Sequence, residues 1–259
     1  MTMTELASWF SSDLGHCFQK TSAFELTRLV PRTYFSVGLD LGPGTVDCSK
    51  NLQFGRSIRI SPLIGERFPS TVVGNWGELP LGRNSVDFIL LQHTLDFSDN
   101  PGQVLGESIQ VLATEGFIAI LGFNPLGLWS LPRLLVKGDR KIPWSARFLS
   151  ASRLQDWLNL LGTGVVAANY FFYRPPINSA TVLGRLEVME SLGGRWWPNL
   201  SGGYLIIAQK RQVANRYVLR ERRLSRRAVT RTLHTTKTNH LAKSAIGSKS
   251  VGGSGENYL

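Results

Sequence analysis

The chain has 259 residues, enough for one domain with a sizeable core and an appendage. Hydrophobic residues make up 42% and charged residues 18%, a balance that excludes a largely disordered protein. Two cysteines, Cys17 and Cys48, exclude a disulfide framework, and no Cys/His cluster has metal-ligand spacing, so we expect a cytoplasmic protein without a metal.

The net charge of +11 is concentrated at the C-terminus. From Gln209 onward, 12 Lys and Arg stand against two acids, which gives +10 and leaves +1 for the other 208 residues. Residues 210–259 are therefore predicted to be a basic, largely disordered tail. Such a tail either contacts the phosphates of a nucleic acid or is simply solvated, and the sequence leaves both interpretations open.

The N-terminal residues 1–30 are predicted to form a helical cover. Apolar residues recur there at helical spacing, namely Leu6, Trp9, Phe10, Leu14 and Phe18. The segment has no basic region before its apolar face, so we do not expect a signal peptide. The most apolar window, Phe117–Val136, contains Asn and Pro and predicts a strand with a loop rather than a membrane span.

Three short strands come next: Tyr34–Leu41, Arg56–Ile60 and Thr71–Val73. The first strand ends at Gly42-Pro43-Gly44, where glycines would let a nucleotide approach the backbone and a helix N-terminus would offer N–H groups. A plain Pro-Gly turn is the alternative.

A strand, a helix and a second strand are predicted between Phe88 and Leu121. Asn100 and Pro101 begin the helix as cap and first residue, and Gly116 is expected to end it. The flanking runs Phe88–Leu91 and Phe117–Leu121 are typical of buried parallel strands. His93 follows the first of them at the strand end where ligands bind, as either a general base or a hydrogen-bonded structural histidine.

The remainder predicts a lid, two helices and two strands. Gly122–Lys141 has the length of a lid, with Trp129, Trp144 and Phe148 forming an apolar wall. A helix over Leu154–Leu161, a strand over Val165–Phe172, a helix near Leu183–Leu192 and a strand over Tyr204–Ala208 follow. The pattern predicts an α/β domain over residues 31–209, a doubly wound, mostly parallel sheet of about seven strands with an antiparallel edge.

Several segments resemble the type-11 family of class I S-adenosylmethionine-dependent methyltransferases. Asp40, Gly42 and Gly44 within Leu39–Thr45 resemble its glycine-rich first motif, and Gly74–Pro80 and Leu105–Phe117 resemble later ones. The ending Gly122–Pro125 is similar to a small bacterial subfamily of methyltransferase-like proteins.

The resemblance implies S-adenosylmethionine as cofactor, bound by Asp40, Gly42, Gly44, Asn75 and Trp76, with His93 as a candidate base. Val46 replaces the family's third glycine, and Ser61-Pro62 stands where the family has an acid for the ribose hydroxyls. The sequence therefore predicts a methyltransferase acting on a small molecule. The alternative is a methyltransferase-like binding protein that has lost catalysis and contacts nucleic acid through its tail.

Overall fold

The computed structural model describes residues 8–42, 52–62, 71–130, 147–186, 188–197 and 200–211. Contacts divide the chain into two units, Met1–Gln212 and Val213–Leu259. The second unit, and with it most of the predicted tail, lies outside the described residues, as do Gly44, Trp144 and residues 131–141 of the predicted lid. The described strands and helices all belong to the first unit.

The strands of the described residues form a seven-stranded sheet in the order β3-β2-β1-β4-β5-β7-β6. Their bounds are β1 Phe35–Asp40, β2 Phe54–Ser61, β3 Thr71–Val73, β4 Val86–Gln92, β5 Leu112–Phe123, β6 Thr163–Phe171 and β7 Gly203–Lys210. Strands β1 to β5 pair in parallel, whereas β7 lies between β5 and β6 and is antiparallel to both. The predicted doubly wound sheet with an antiparallel edge is confirmed.

Helices pack against both faces of this sheet. Their bounds are α1 Asp13–Leu29, α2 Thr94–Phe97, α3 Pro101–Val111, α4 Ala151–Leu160, α5 Ala180–Arg185 and α6 Val188–Trp196. None of these helices combines the length and hydrophobicity that crossing a membrane requires.

The core consists of two apolar clusters, one on each face of the sheet. Along β4, Ile89 and Leu91 belong to one cluster, and Phe88 and Leu90 to the other. This alternation follows from the two-residue period of a strand, and it explains why β4 has a continuous apolar sequence. The first cluster packs under α3 and α4, the second under α1.

Helix α1 begins at a cap and buries an aromatic face. The Ser12 hydroxyl accepts from the amide of Gly15 at 3.1 Å, and Asp13 in the first turn suits the positive end of the helix dipole. Phe18 is fully buried, and its ring contacts Phe123, Phe171 and Phe172. Residues 8–10 form a separate helical turn before α1, which itself begins only at Asp13.

Gly116 does not end a helix, contrary to the prediction. Helix α3 ends at Val111, and Leu112 already has the extended backbone of β5 (φ −65°, ψ 129°). The register of β5 against β4 then shifts: Leu112 pairs with Val86, whereas Phe117 pairs with Phe88, so β5 has extra residues between these two pairs. Gly116 therefore belongs to an irregular stretch within a strand, where a Cβ would lie 2.9 Å from backbone oxygens on both strands.

The predicted apolar wall after β5 is also wrong for Trp129. Its side chain is fully buried in the cluster under α1, and its indole N–H donates to the carbonyl of Arg174 at 3.0 Å. Asp96, four residues after the end of β4, lies buried within α2.

Candidate functional site

The carboxyl ends of β1 and β4 lie side by side at one edge of the sheet. The two strands are neighbours, with Asp40 opposite Leu90, and the amide of Leu41 donates to the Leu90 carbonyl at 2.9 Å. The hydroxyl of Thr94 donates to the Leu41 carbonyl and joins the two strand ends. Ligands of open α/β sheets bind at such a position, and here it is lined by Asp40, Gly42 and Gln92.

Gly42 is the point where the side chains of β1 and β4 converge. A Cβ placed on Gly42 would lie 3.0 Å from Asp40 Oδ1 and 3.0 Å from Gln92 Oε1. Asp40, Gly42 and Gln92 are all buried. These three residues, called the cradle below, bring two acceptor oxygens to a backbone that carries no side chain. A ligand with N–H or O–H donors suits this arrangement.

Arg59, which sequence reasoning missed, holds Asp40 from the neighbouring strand. Its Nε lies 2.9 Å and its Nη2 2.8 Å from Asp40 Oδ2. Strand register explains the contact, because Asp40 and Arg59 are paired residues of β1 and β2. The Arg-Ser-Ile-Arg-Ile alternation of β2 was a signal that a cation occurs near the buried end of this strand, but it does not identify the partner.

The loop after β3 brings Asn75 and Trp76 near the end of β2. Asn75 is exposed, and its Oδ1 accepts from the amide of Gly77 at 3.0 Å, which closes a turn. Trp76 is 5% exposed and belongs to the cluster under α3 and α4, and its indole N–H donates to the Ile60 carbonyl at 3.0 Å. The indole thus has a structural partner at the end of β2, and a cofactor role for either residue remains a prediction.

His93 is surrounded by aromatic rings of the cluster under α1, on the face of the sheet opposite to Trp76. It is 1% exposed, and its ring stacks on Phe123 with centroids 4.2 Å apart, while Phe18 and Phe10 lie at 5.5 and 5.9 Å. Its backbone is left-handed, with φ +55°. Because Trp76 and His93 lie in clusters on opposite faces, the structure does not bring all the predicted site residues together.

Asp96 orients the His93 ring. Its Oδ2 lies 3.0 Å from His93 Nδ1 and also accepts from the Phe123 amide at 3.0 Å. Burial raises the pKa of the Asp96 carboxyl, and the contact with His93 opposes this. Through these two contacts, Asp96 links His93 after the end of β4 to Phe123 at the end of β5. A proton-transfer role for His93 would require Phe10 or Phe18 of the N-terminal cover to move away from its ring.

A cavity lies between α1 and the edge strand β6, away from the cradle. This cavity of about 850 Å³ is lined by α1 from Asp13 to Arg28, by the end of β6 and by parts of α5 and α6. Within its wall, Arg174 Nη1 lies 2.9 Å from Cys17 Sγ, and Arg174 Nε lies 3.2 Å from Glu190 Oε1. Burial and the nearby carboxylates of Glu190 and Glu25 raise the pKa of Tyr173 to about 12. No cradle residue lines this cavity.

Among the described residues, no group of three or more His, Cys, Asp or Glu side chains could hold a metal ion. Gly44, the remaining predicted cofactor residue, lies outside the described part of the chain.

Comparisons with known proteins agree with this geometry. Residues 14–120 match the methyltransferase domain family Methyltransf_11. The uncharacterized protein YafS of Escherichia coli is 36% identical over 97 residues, which span 38% of this chain and 40% of YafS. The uncharacterized protein MJ1123 of Methanocaldococcus jannaschii is 24% identical over 211 residues, which cover 80% of this chain and 95% of that protein.

Among solved structures, an S-adenosylmethionine-dependent methyltransferase of Thermotoga maritima superposes with a TM-score of 0.60 at 18% identity. The superposition covers 80% of this chain and 96% of that protein. At this identity the likeness concerns the fold.

Proposed function

We propose that the chain is a class I S-adenosylmethionine-dependent methyltransferase of the type-11 family, whose domain model matches residues 14–120, and that it methylates a small-molecule acceptor. One observation supports the proposal most directly. Asp40, Gly42 and Gln92 form a cradle at the carboxyl ends of neighbouring strands, within a sheet whose strand order matches the predicted fold.

The residues of the cradle fit S-adenosylmethionine, the cofactor of this family. The absent side chain at Gly42 lets the oxygens of Asp40 and Gln92 approach its backbone, and both oxygens are hydrogen-bond acceptors. The methionyl ammonium and the ribose hydroxyls of the cofactor are donors of this kind. Gly44, Asn75 and Trp76 complete the set that the resemblance implies.

When bound, the cofactor supplies a methyl group on a sulfonium, which is already activated for transfer. The protein then needs mainly to position the acceptor in line and to exclude water. The buried strand ends around Asp40, Gln92 and Thr94 provide a rigid, largely dehydrated floor for this task. A dedicated catalytic dyad is not required, and His93 would serve only an acceptor that must lose a proton.

The proposal places the reaction in the cytoplasm, because a chain of this length with only two cysteines suits a reducing compartment.

Calorimetric titration of the full chain with S-adenosylmethionine and S-adenosylhomocysteine tests the proposal. We expect saturable binding of both ligands at concentrations below about 1 mM. No heat of binding for either ligand at that concentration would reject the enzyme assignment.

A second candidate function is a methyltransferase-like binding protein that has lost catalysis. The observation that favours it is the end of β2, where Ser61 is buried at the position of the family's ribose-binding acid. Under this alternative the titrations show no binding, whereas a nucleic acid still binds through the basic tail. Methyl transfer to any acceptor from a panel of small amines, phenols and thiols would exclude it.

A further inference from the structure

Arg59 has contacts that an ordinary surface arginine lacks. Both of its contacts to Asp40, Nε at 2.9 Å and Nη2 at 2.8 Å, reach the same oxygen, Oδ2. The side chains of Arg59 and Asp40 are 11% and 4% exposed. Taking two charges out of water is costly unless they are paired and well oriented, so this pair has a defined geometry.

The strand pattern explains why the pair faces away from the apolar cluster under α3 and α4. Leu39 of β1, Leu41 directly after it, and Ile58 and Ile60 of β2 contribute to that cluster or pack on it. Asp40 and Arg59 alternate with these residues and therefore project from the opposite face. Their positions in register on adjacent strands bring the guanidinium to the carboxylate.

The two oxygens of Asp40 consequently have different surroundings. Oδ2 accepts from Arg59, whereas Oδ1 lies 3.0 Å from the position that a Gly42 Cβ would take. Arg59 therefore fixes the orientation of the Asp40 carboxylate plane. Its positive charge also offsets the negative charge that Asp40 brings to the cradle. An arginine achieves this better than a lysine, because two N–H groups of one rigid plane reach the same oxygen.

We propose that Arg59 is a positioning residue of the cofactor site, which holds Asp40 so that its Oδ1 faces the donors of the bound ligand. This inference rests on the proposed function. Arg59 acts through Asp40 and needs no contact with the ligand, and neither the family's first motif nor its ribose-binding acid includes this position.

A double-mutant cycle on ligand affinity tests the inference. The dissociation constant for S-adenosylhomocysteine is measured by calorimetry for the full chain and for Arg59→Met, Asp40→Asn and the double variant. We expect each single variant to bind about tenfold more weakly, and the double variant to bind no more weakly than Asp40→Asn. Additive losses, or wild-type affinity in Arg59→Met, would overturn the inference.

Arg59→Lys and Arg56→Met separate positioning from folding. Arg56 is exposed on the same strand, so its substitution should leave affinity unchanged. Arg59→Lys keeps the charge and should keep the melting temperature, yet bind several-fold more weakly. If Arg59→Met does not fold, wild-type affinity in Arg59→Lys overturns the inference, and a several-fold loss at an unchanged melting temperature supports it.

The outcome for wild type distinguishes the two proposals. Absence of binding to wild type rejects the proposed function, and with it this inference. Binding to wild type with no coupling between positions 40 and 59 rejects the inference alone.

Discussion

Gly42 is the residue whose lack of a side chain matters most for the proposed site. In Gly42→Ala, the new methyl group would lie 3.0 Å from both Asp40 Oδ1 and Gln92 Oε1 and would occupy the ligand's approach to the backbone. We expect affinity for S-adenosylhomocysteine to fall about tenfold or more in a calorimetric titration.

Gly106→Ala is the matched control, because Gly106 lies in α3 and a Cβ there meets nothing within 4 Å. It should keep wild-type affinity and gain up to about 1 kcal/mol in the free energy of unfolding. Equal affinity in Gly42→Ala and Gly106→Ala would contradict the assignment of the cradle.

Trp76 offers a test between a packing role and a role in stacking on the adenine of the cofactor. Its buried indole donates to the Ile60 carbonyl, so a role in packing alone predicts that Trp76→Phe lowers the free energy of unfolding by about 1–3 kcal/mol and leaves ligand affinity unchanged. Urea denaturation and calorimetry measure the two quantities. The exposed Trp197 is the control, since Trp197→Phe should change stability by less than about 0.5 kcal/mol. Lost affinity at unchanged stability in Trp76→Phe would instead support stacking.

Asp96 should make stability depend on pH in a defined direction. Burial raises the pKa of its carboxyl in the folded state above the ordinary value of 3.8. Its contribution to stability is therefore fully present below that value and is lost as the pH rises through the folded-state pKa. The stability advantage of wild type over Asp96→Asn should shrink as the pH is raised from about 4 to 7, as measured by urea denaturation.

The exposed Asp156 on α4 provides the reference for this measurement. Because the side chain of Asp156 is exposed, Asp156→Asn should change the free energy of unfolding by less than about 0.5 kcal/mol. A wild-type advantage over Asp96→Asn that grows with pH would show that the contact with His93 outweighs burial.

Among the elements, α1 packs against the carboxyl-end side of the sheet through the side chain of Phe18. This ring contacts His93, Trp129 and Phe171 and is fully buried, so Phe18→Ala should cost about 3–5 kcal/mol in the free energy of unfolding. Phe24 lies on the same helix but is 64% exposed, and Phe24→Ala should cost less than about 0.5 kcal/mol. Chemical denaturation of both variants checks the contrast, and similar losses would contradict the packing of α1.

The elements that the sequence predicted well are those with a local signal. The apolar run of β4 and the Asn100-Pro101 start of α3 each have a short-range physical cause, and each is confirmed within a few residues. The predicted end of α3 was wrong, because a glycine that follows a helical pattern does not always end the helix, and here Gly116 lies within β5. Pairing of Leu112 with Val86 begins the strand earlier than that local signal suggests.

The site was harder to predict because its decisive contacts connect residues far apart in the chain. Arg59 meets Asp40 only through the pairing of β1 with β2, and the enclosure of His93 depends on α1 crossing the end of β4. The glycine-rich segment placed Asp40 and Gly42 at the end of the first strand, where the structure has them, and their role in cofactor binding stays a prediction. A sequence motif indicates where a residue lies along its own strand. Its contacts with residues of other strands depend on the strand order of the sheet, which the motif does not contain.

For the whole molecule, the division at Gln212 separates a nearly neutral domain from a basic segment. Residues 213–259 hold 10 Lys and Arg and two acids. We expect the full chain to bind a fluorescent single-stranded RNA of about 20 nucleotides, with an affinity that falls steeply between about 50 and 200 mM salt. A chain ending at Gln212 should lose this binding and keep its affinity for S-adenosylhomocysteine. Equal RNA binding by both chains would remove the tail's proposed role.

The position of β7 has a consequence for how the protein is made. Among the strands of the described residues, this one is the last to leave the ribosome, yet it lies between β5 and β6 and hydrogen-bonds to both. During translation, β6 consequently has no neighbour until residues 203–210 have emerged, and the nascent chain exposes two unpaired strand edges until then. Completion of the sheet is thus postponed almost to the end of the domain's synthesis, and a message cut short before codon 203 would yield an aggregation-prone product.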